Sequence, residues 1–257
     1  MNNTLTQTEV AVFKNCTHCD GEIAFESRFC RHCGVVQKAQ DDITSEQKWN
    51  SIQYAGLFYL LNIGLCCLFK FIDSLQTLAI SFIFDGLLAI VAVVFFCSNW
   101  AENKMLLRWP NFSIVKLAGY CLGAILASLL VGFSVRWINH TLFSEELYYS
   151  GLYRGHKYAN ELMVLSIAFM PAIFEELGFR GYMLQNLLGV SDKKQAIFIT
   201  SFLFAILHLS FLSLFWLIPF ALLQGYIRVK ENTLWYGVCI HFFFNLTVCI
   251  SEIWRLR

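Results

Sequence analysis

Two adjacent carboxylates in an otherwise apolar run, Glu175 and Glu176 in LMVLSIAFMPAIFEELGFRGYML, are the residues of this 257-residue chain best placed to do chemistry. Arg180 follows Glu176 at i, i+4, so the two can pair on one face of a helix and leave Glu175 on another part of its surface. One carboxylate is neutralised and the other is free to work. Pro171, one turn before Glu175, can free a backbone carbonyl there. Two later pairs repeat the i, i+4 spacing: Phe204 with His208 in FLFAILHL, and His241 with Asn245 in LWYGVCIHFFFNLTV. That spacing puts each pair on a single helix face. A carboxylate that can take a proton, two imidazoles and an amide donor are the parts needed to activate water and hold a tetrahedral oxyanion. An ionisable group at mid-span costs on the order of 3 kcal/mol, which makes each one a functional candidate. A single His or Asn can be interhelical glue. Glu175, Glu176, Arg180, His208, His241 and Asn245 together are not explained that way, because glue needs no adjacent carboxylates. Asp85 and Lys70 read as a supporting pair or as snorkelling side chains and stay outside the site.

A second constellation lies near the amino terminus. Residues 16 to 33, CTHCDGEIAFESRFCRHC, are a CxxC, ten residues and a second CxxC, followed closely by Gly21 and Gly34. Cys16, Cys19, Cys30 and Cys33 at this spacing form two tight knuckles that can close a tetrahedral zinc site. Small residues beside the knuckles let backbone amides approach the sulfurs. Four sulfurs fill the site, so the zinc is structural. His18 and His32 are expected as exposed non-ligands. Two disulfides are the alternative, which a reducing compartment disfavours. Cys66, Cys67, Cys97, Cys121, Cys239 and Cys249 lie in or beside apolar runs and read as packing residues.

The elements that carry these groups are set by composition. Hydrophobic residues make up 57% and charged residues 14%, with 25 Phe and a net charge of +1. That excludes an ordinary soluble domain and any basic nucleic-acid footprint, so no nucleic acid is expected as a partner. Stretches long enough to cross about 30 Å of hydrocarbon lie near 52–72, 77–97, 114–134, 160–182, 196–212, 213–229 and 233–253. The expected fold is an all-α polytopic membrane protein of about seven transmembrane helices behind a zinc-ribbon head, with 136–160 able to hide an eighth element. The fifth and sixth spans come from one run broken near Ser210 to Ser213. The first 40 residues lack the apolar core of a secretory signal, so the amino terminus is expected to be retained. Lys104, Arg108, Lys193, Lys194, Arg228 and Lys230 fall in loops on the side of the head, which places the head in the cytoplasm. Arg136, Arg154 and Lys157 count against this.

The paired motifs resemble those of the CAAX-protease and bacteriocin-processing (CPBP, Abi) intramembrane endopeptidases. That family's signature is EExxxR, then FxxxH, then HxxxN or HxxxD. The chain supplies Glu175-Glu176 with Arg180, Phe204 with His208, and His241 with Asn245, and Phe179-Arg180-Gly181 matches the common FRG ending. The resemblance covers about residues 110 to 250. The ribbon lies outside the family core, and the sequence stops 12 residues after Asn245, where some members continue into another helix. The domains are then a ribbon at 1–40, a linker at 41–51, accessory helices at 52–109 and a CPBP-like catalytic domain at 110–257.

The resemblance implies proteolysis of a membrane-associated protein or peptide. Glu175 is the general base on a water that His208 helps to hold, Glu176 is oriented by Arg180, and His241 with Asn245 stabilises the oxyanion. Glu175, His208 and His241 can instead be read as a two-His, one-carboxylate zinc site with an open position for water. The metal-free arrangement is preferred, because it gives Asn245 a role. Prenylated CAAX proteins, peptide precursors and bacterial membrane proteins are all compatible substrates. The rival class is a non-catalytic adaptor that binds partners through the same fold and the ribbon. A proton-relay transporter would need an inverted repeat of broken helices, and the sequence has none.

Overall fold

The computed structural model describes residues 13–24, 27, 30–33, 35, 44–110, 112–143 and 149–255. Gly34 and the linker residues Asp41 and Asp42 lie outside them. The chain divides into two compact units, Met1–Asn50 and Ser51–Arg257.

The first unit contains an antiparallel hairpin of β1 (Phe13–Asn15) and β2 (Glu22–Ala24), with Lys14 opposite Ile23. Asp20, at φ 59°, turns the chain back toward β2, a left-handed conformation that Asp tolerates better than most residues. Ile23 is buried with Cys16 and Cys30 in the small core of this unit. Thr44 and Gln47 exchange side-chain and backbone hydrogen bonds of 3.2 and 3.0 Å. This reciprocal cap satisfies two free donors and starts the first helix, α1 (Ser45–Phe71).

The second unit is all-α. After α1 come α2 (Leu78–Ser98), α3 (Ile114–Ile138), α4 (Ala159–Leu188), α5 (Lys193–Ile206), α6 (Leu214–Glu231) and α7 (Trp235–Arg255). Thr77, Ser113 and Asp192 cap α2, α3 and α5 through their side-chain oxygens. Asn232, left-handed at φ 49°, ends α6. Among the described residues, five helices are long and apolar enough to cross a membrane: α1, α2, the α3 helix run, α4 and α7. Leu60, Ile90, Val94, Leu126, Leu130 and Phe133 are exposed on their outer faces, a surface suited to lipid and not to water. The chain is an integral membrane protein.

The expected count of seven spans is not confirmed, since five of the seven helices meet that length and hydropathy. The break between the fifth and sixth segments is present, from Leu207 to Ser213, but the helices beside it differ from the other spans. α5 has 14 residues, about 21 Å at ~1.5 Å per residue. α6 has 18, and its last turn carries Arg228, Lys230 and Glu231. In the expected eighth element, the residues described are a π-helical continuation, Asn139–Phe143, and a 3-10 turn, Tyr149–Tyr153.

Close approach to α4 is made possible by two glycines. A side chain at Gly178 would begin 2.7 Å from the Phe58 ring of α1, and one at Gly181 would begin 2.7 Å from the Phe96 ring of α2. Phe58 packs edge-on against Phe95, Phe179 and Tyr182 at 5.4 to 5.5 Å between centroids. α4 is also wound wide in two places, π-helical over Val164–Phe169 and Glu176–Met183. Such stretches often mark functional segments.

Candidate active site and candidate metal centre

The second π-helical stretch of α4 begins at Glu176, so the two neighbouring carboxylates leave the helix in different surroundings. Glu176 is fully buried, and its Oε1 lies 3.1 Å from Arg180 Nη1 and 3.1 Å from His241 Nδ1. The Arg180 guanidinium also lies 4.2 Å over the Phe204 ring, which shares the work of holding a buried cation. Glu175 keeps 28% of its side chain exposed. Its Oε2 accepts no hydrogen bond from the described residues and faces His241 Nε2 at 3.8 Å.

Glu175 and His208 line one cavity of about 250 Å³, together with Phe58 and Asn62 of α1, Asp85 of α2 and Pro171 of α4. α5 ends at Ile206, and Leu209, at φ 50°, takes the left-handed backbone that stops it. His208 is thereby displayed at the helix terminus. Its Nδ1 lies 3.1 Å from the Phe204 carbonyl oxygen. A carbonyl can only accept, so Nδ1 carries the hydrogen and Nε2 of the neutral ring is an acceptor.

Glu175, Glu176, Arg180 and His241 are thus in one constellation, and His208 shares the cavity with Glu175. Asn245 is placed differently. Its Nδ2 donates to the Ile167 carbonyl at 2.9 Å. Ile167 lies four residues before Pro171, so this carbonyl is the one whose α-helical partner the proline removes. The carbonyl expected to be freed by Pro171 receives the Asn245 amide.

Three residues outside the expected set touch this region. Asp85 Oδ2 accepts a 2.6 Å hydrogen bond from Ser166 Oγ in the first π-helical stretch. Gln224 of α6 is fully buried and donates through Nε2 to the Gly237 carbonyl at 3.2 Å. A side chain at Gly237 would begin 3.0 Å from Glu176 Oε2 and 3.3 Å from Gln224 Oε1. Asn62 donates to the Phe58 carbonyl at 2.8 Å. The available signal was a polar residue in an apolar span; which of them faces the cavity depends on contacts far apart in sequence.

In the first unit the four cysteines of the two knuckles are free thiols whose sulfurs lie within 4.8 Å of one another. Cys16 and Cys33 sulfurs are 3.6 Å apart, as are those of Cys19 and Cys30. Tetrahedral coordination at ~2.3 Å per Zn–S bond requires about 3.8 Å between sulfurs. The donors fit a metal such as zinc. The amides of His18 and His32 point at Cys16 and Cys30 sulfurs at 3.3 Å. Burial opposes ionisation of Cys30, but the N–H groups of His32 and Cys33 outweigh it and bring its thiol down to about 6. Burial and the neighbouring thiols push Cys33 up to about 12. His32 is exposed and outside the ligand set, and His18 is half-buried rather than exposed. Gly21 plays another part than expected: a side chain there would begin 2.6 Å from the His32 ring, so its absence admits that ring, which reaches the Glu22 carbonyl at 3.1 Å. Among the described residues this is the one group of three or more metal-ligating side chains so closely gathered; the Glu175, His208 and His241 donors are not.

A family model described as Type II CAAX prenyl endopeptidase Rce1-like matches residues 158–247, a segment that contains all three paired motifs. Over these residues, about a third of the chain, the protein is similar to that family. No curated protein and no solved structure matches the chain.

Proposed function

We propose that the chain is an intramembrane endopeptidase that cleaves a membrane-associated protein or peptide with a glutamate-activated water. The observation that carries this reading is the division of labour between two adjacent carboxylates. Glu176 is consumed by Arg180 and His241, while Glu175 stands partly open on a cavity shared with His208.

In this mechanism a water donates one hydrogen to Glu175 and one to His208 Nε2, the acceptor left by the bond from Nδ1 to Phe204. Glu175 takes the proton as the water oxygen attacks the peptide carbonyl. The oxyanion that forms is held by His241 in its imidazolium form, which donates Nδ1–H to Glu176 and Nε2–H to the oxyanion, and by the second N–H of Asn245. Glu175 then returns its proton to the departing amine. The apolar cavity wall keeps the field of these groups strong.

In the head we assign zinc to Cys16, Cys19, Cys30 and Cys33 as a structural ion, and we place the head in the cytoplasm from the Lys and Arg distribution. Purified protein in vesicles, compared with its Glu175→Gln variant on labelled apolar peptides, tests the enzyme reading. Cleavage lost in the variant while binding persists supports it. If Glu175→Gln keeps full function in cells while Arg180→Ala abolishes it, the protein serves as an adaptor.

A further inference from the structure

The cavity contains a second carboxylate that the proposed mechanism leaves unused. Asp85 lines it beside Glu175 and His208. Its partner is Ser166, whose Oγ donates a 2.6 Å hydrogen bond to Asp85 Oδ2. This bond fixes Oδ2 and leaves Oδ1 for another group. Lys116, Arg180 and His241 form their ion pairs with Glu231, Glu176 and Glu175, and not with Asp85. Lys70, the one cationic side chain of the lining, is exposed near the end of α1, where a long stem can carry its ammonium toward water. The rest of the wall is largely aromatic and aliphatic, with Phe58, Phe69, Phe174 and Phe179 among its members. An uncompensated carboxylate in such surroundings is costly and strongly attracts a cation.

We propose that Asp85 is a specificity-determining residue of this cavity, and that it selects substrates presenting a lysine or arginine side chain within an otherwise apolar segment. The inference rests on the protease reading, and it adds a substrate class to it. It also gives the α1–α2 pair a function. These helices lie outside the Rce1-like match at 158–247, yet they supply Asn62, Lys70 and Asp85 to the wall. Chemistry comes from one part of the chain and selection from another.

The test uses an apolar peptide of about 20 residues, long enough to span a bilayer, in versions that differ at one position. Lys, Gln or Glu is walked through successive positions. Binding is measured by fluorescence to full-length Glu175→Gln protein in vesicles, and cleavage is measured with the wild type. At one position the Lys peptide should bind at least about tenfold more tightly than the Gln peptide, as expected for a buried charged hydrogen bond. Adding Asp85→Asn should bring the Lys-to-Gln ratio near one, and Asp85→Lys should turn the preference toward Glu. Ser166→Ala keeps the charge but frees the carboxylate, so it should lower the ratio in part, and it serves if the Asp85 variants do not fold. Absence of a Lys preference at every position, or its persistence in Asp85→Asn, overturns the proposal. Asp85-dependent binding of the Lys peptide without cleavage by the wild type supports the proposal and sinks the protease reading. Cleavage with no Lys preference does the reverse.

Discussion

Asn245 donates a hydrogen bond to the carbonyl of Ile167, four residues before Pro171, and so repairs the helix ladder where the proline interrupts it. The side chain therefore has a structural duty besides its proposed catalytic one, and the two can be separated. Asn245→Ala should cost about 1 to 3 kcal/mol of stability by leaving that carbonyl without its donor. Turnover should fall about 10² to 10³-fold through loss of an oxyanion contact, with little change in substrate affinity. In a Pro171→Ala background the new N–H can serve Ile167, so the stability cost should shrink while the loss of turnover remains. If both defects vanish together, Asn245 acts only through the helix.

The adjacent carboxylates should fail in different ways. Glu175→Gln keeps the shape of the side chain and removes proton acceptance, so cleavage should fall by at least about 10² to 10⁴ with folding intact. Glu176→Gln or Arg180→Ala leaves a buried charge without its partner and should cost about 3 to 5 kcal/mol. Thermal unfolding in detergent alongside peptide cleavage distinguishes the two classes.

His208 should be sensitive to which end of its ring is kept. Asn can imitate the Nδ1–H that reaches Phe204, but it cannot supply an acceptor where Nε2 stands. His208→Asn should therefore keep the protein folded and lose about 10²-fold or more in turnover. Activity near the wild-type level would remove His208 from the water-holding role.

The metal-free head should take up about one zinc per chain, more tightly as pH rises. At pH 7 the Cys30 thiol, at about 6, is already ionised, whereas Cys33, at about 12, still holds its proton. Binding must expel that proton, so acidification favours metal loss. Zinc titrations in buffers of different ionisation enthalpy should show proton release. A quadruple Cys→Ser variant that keeps its zinc would place the metal elsewhere.

The glycines of α4 test the packing. Gly178→Ala drives a methyl group into the Phe58 ring and should cost about 1 to 3 kcal/mol as overpacking. Combining it with Phe58→Leu should recover part of that loss.

What was legible in the sequence was local. The i, i+4 pair of Glu176 and Arg180 follows from helix geometry alone, the knuckle spacing announces four gathered sulfurs, and the break before Leu214 is visible in its polar residues. What was not legible depends on contacts between distant segments. Nothing around residues 164–169 announces a π-helical winding, and Ser166 meets Asp85 across 81 positions of chain. The approach of Gly237 to Glu176 likewise exists only once α7 has docked on α4. The number of spans was less legible, because hydropathy measures an apolar run as a whole, while the helix formed within it, α5, has only 14 residues.

The shortness of α5 has a consequence for where the protein can work. A hairpin whose first arm extends only about 21 Å is shorter than the ~30 Å of hydrocarbon in an average bilayer, so where its tip meets lipid the bilayer would thin or polar headgroups would dip toward it. His208 sits on that tip. Water supply to its ring then depends on lipid thickness, and turnover in vesicles should fall as acyl chains lengthen. Activity would follow the membrane compartment even where substrate and enzyme are equally abundant.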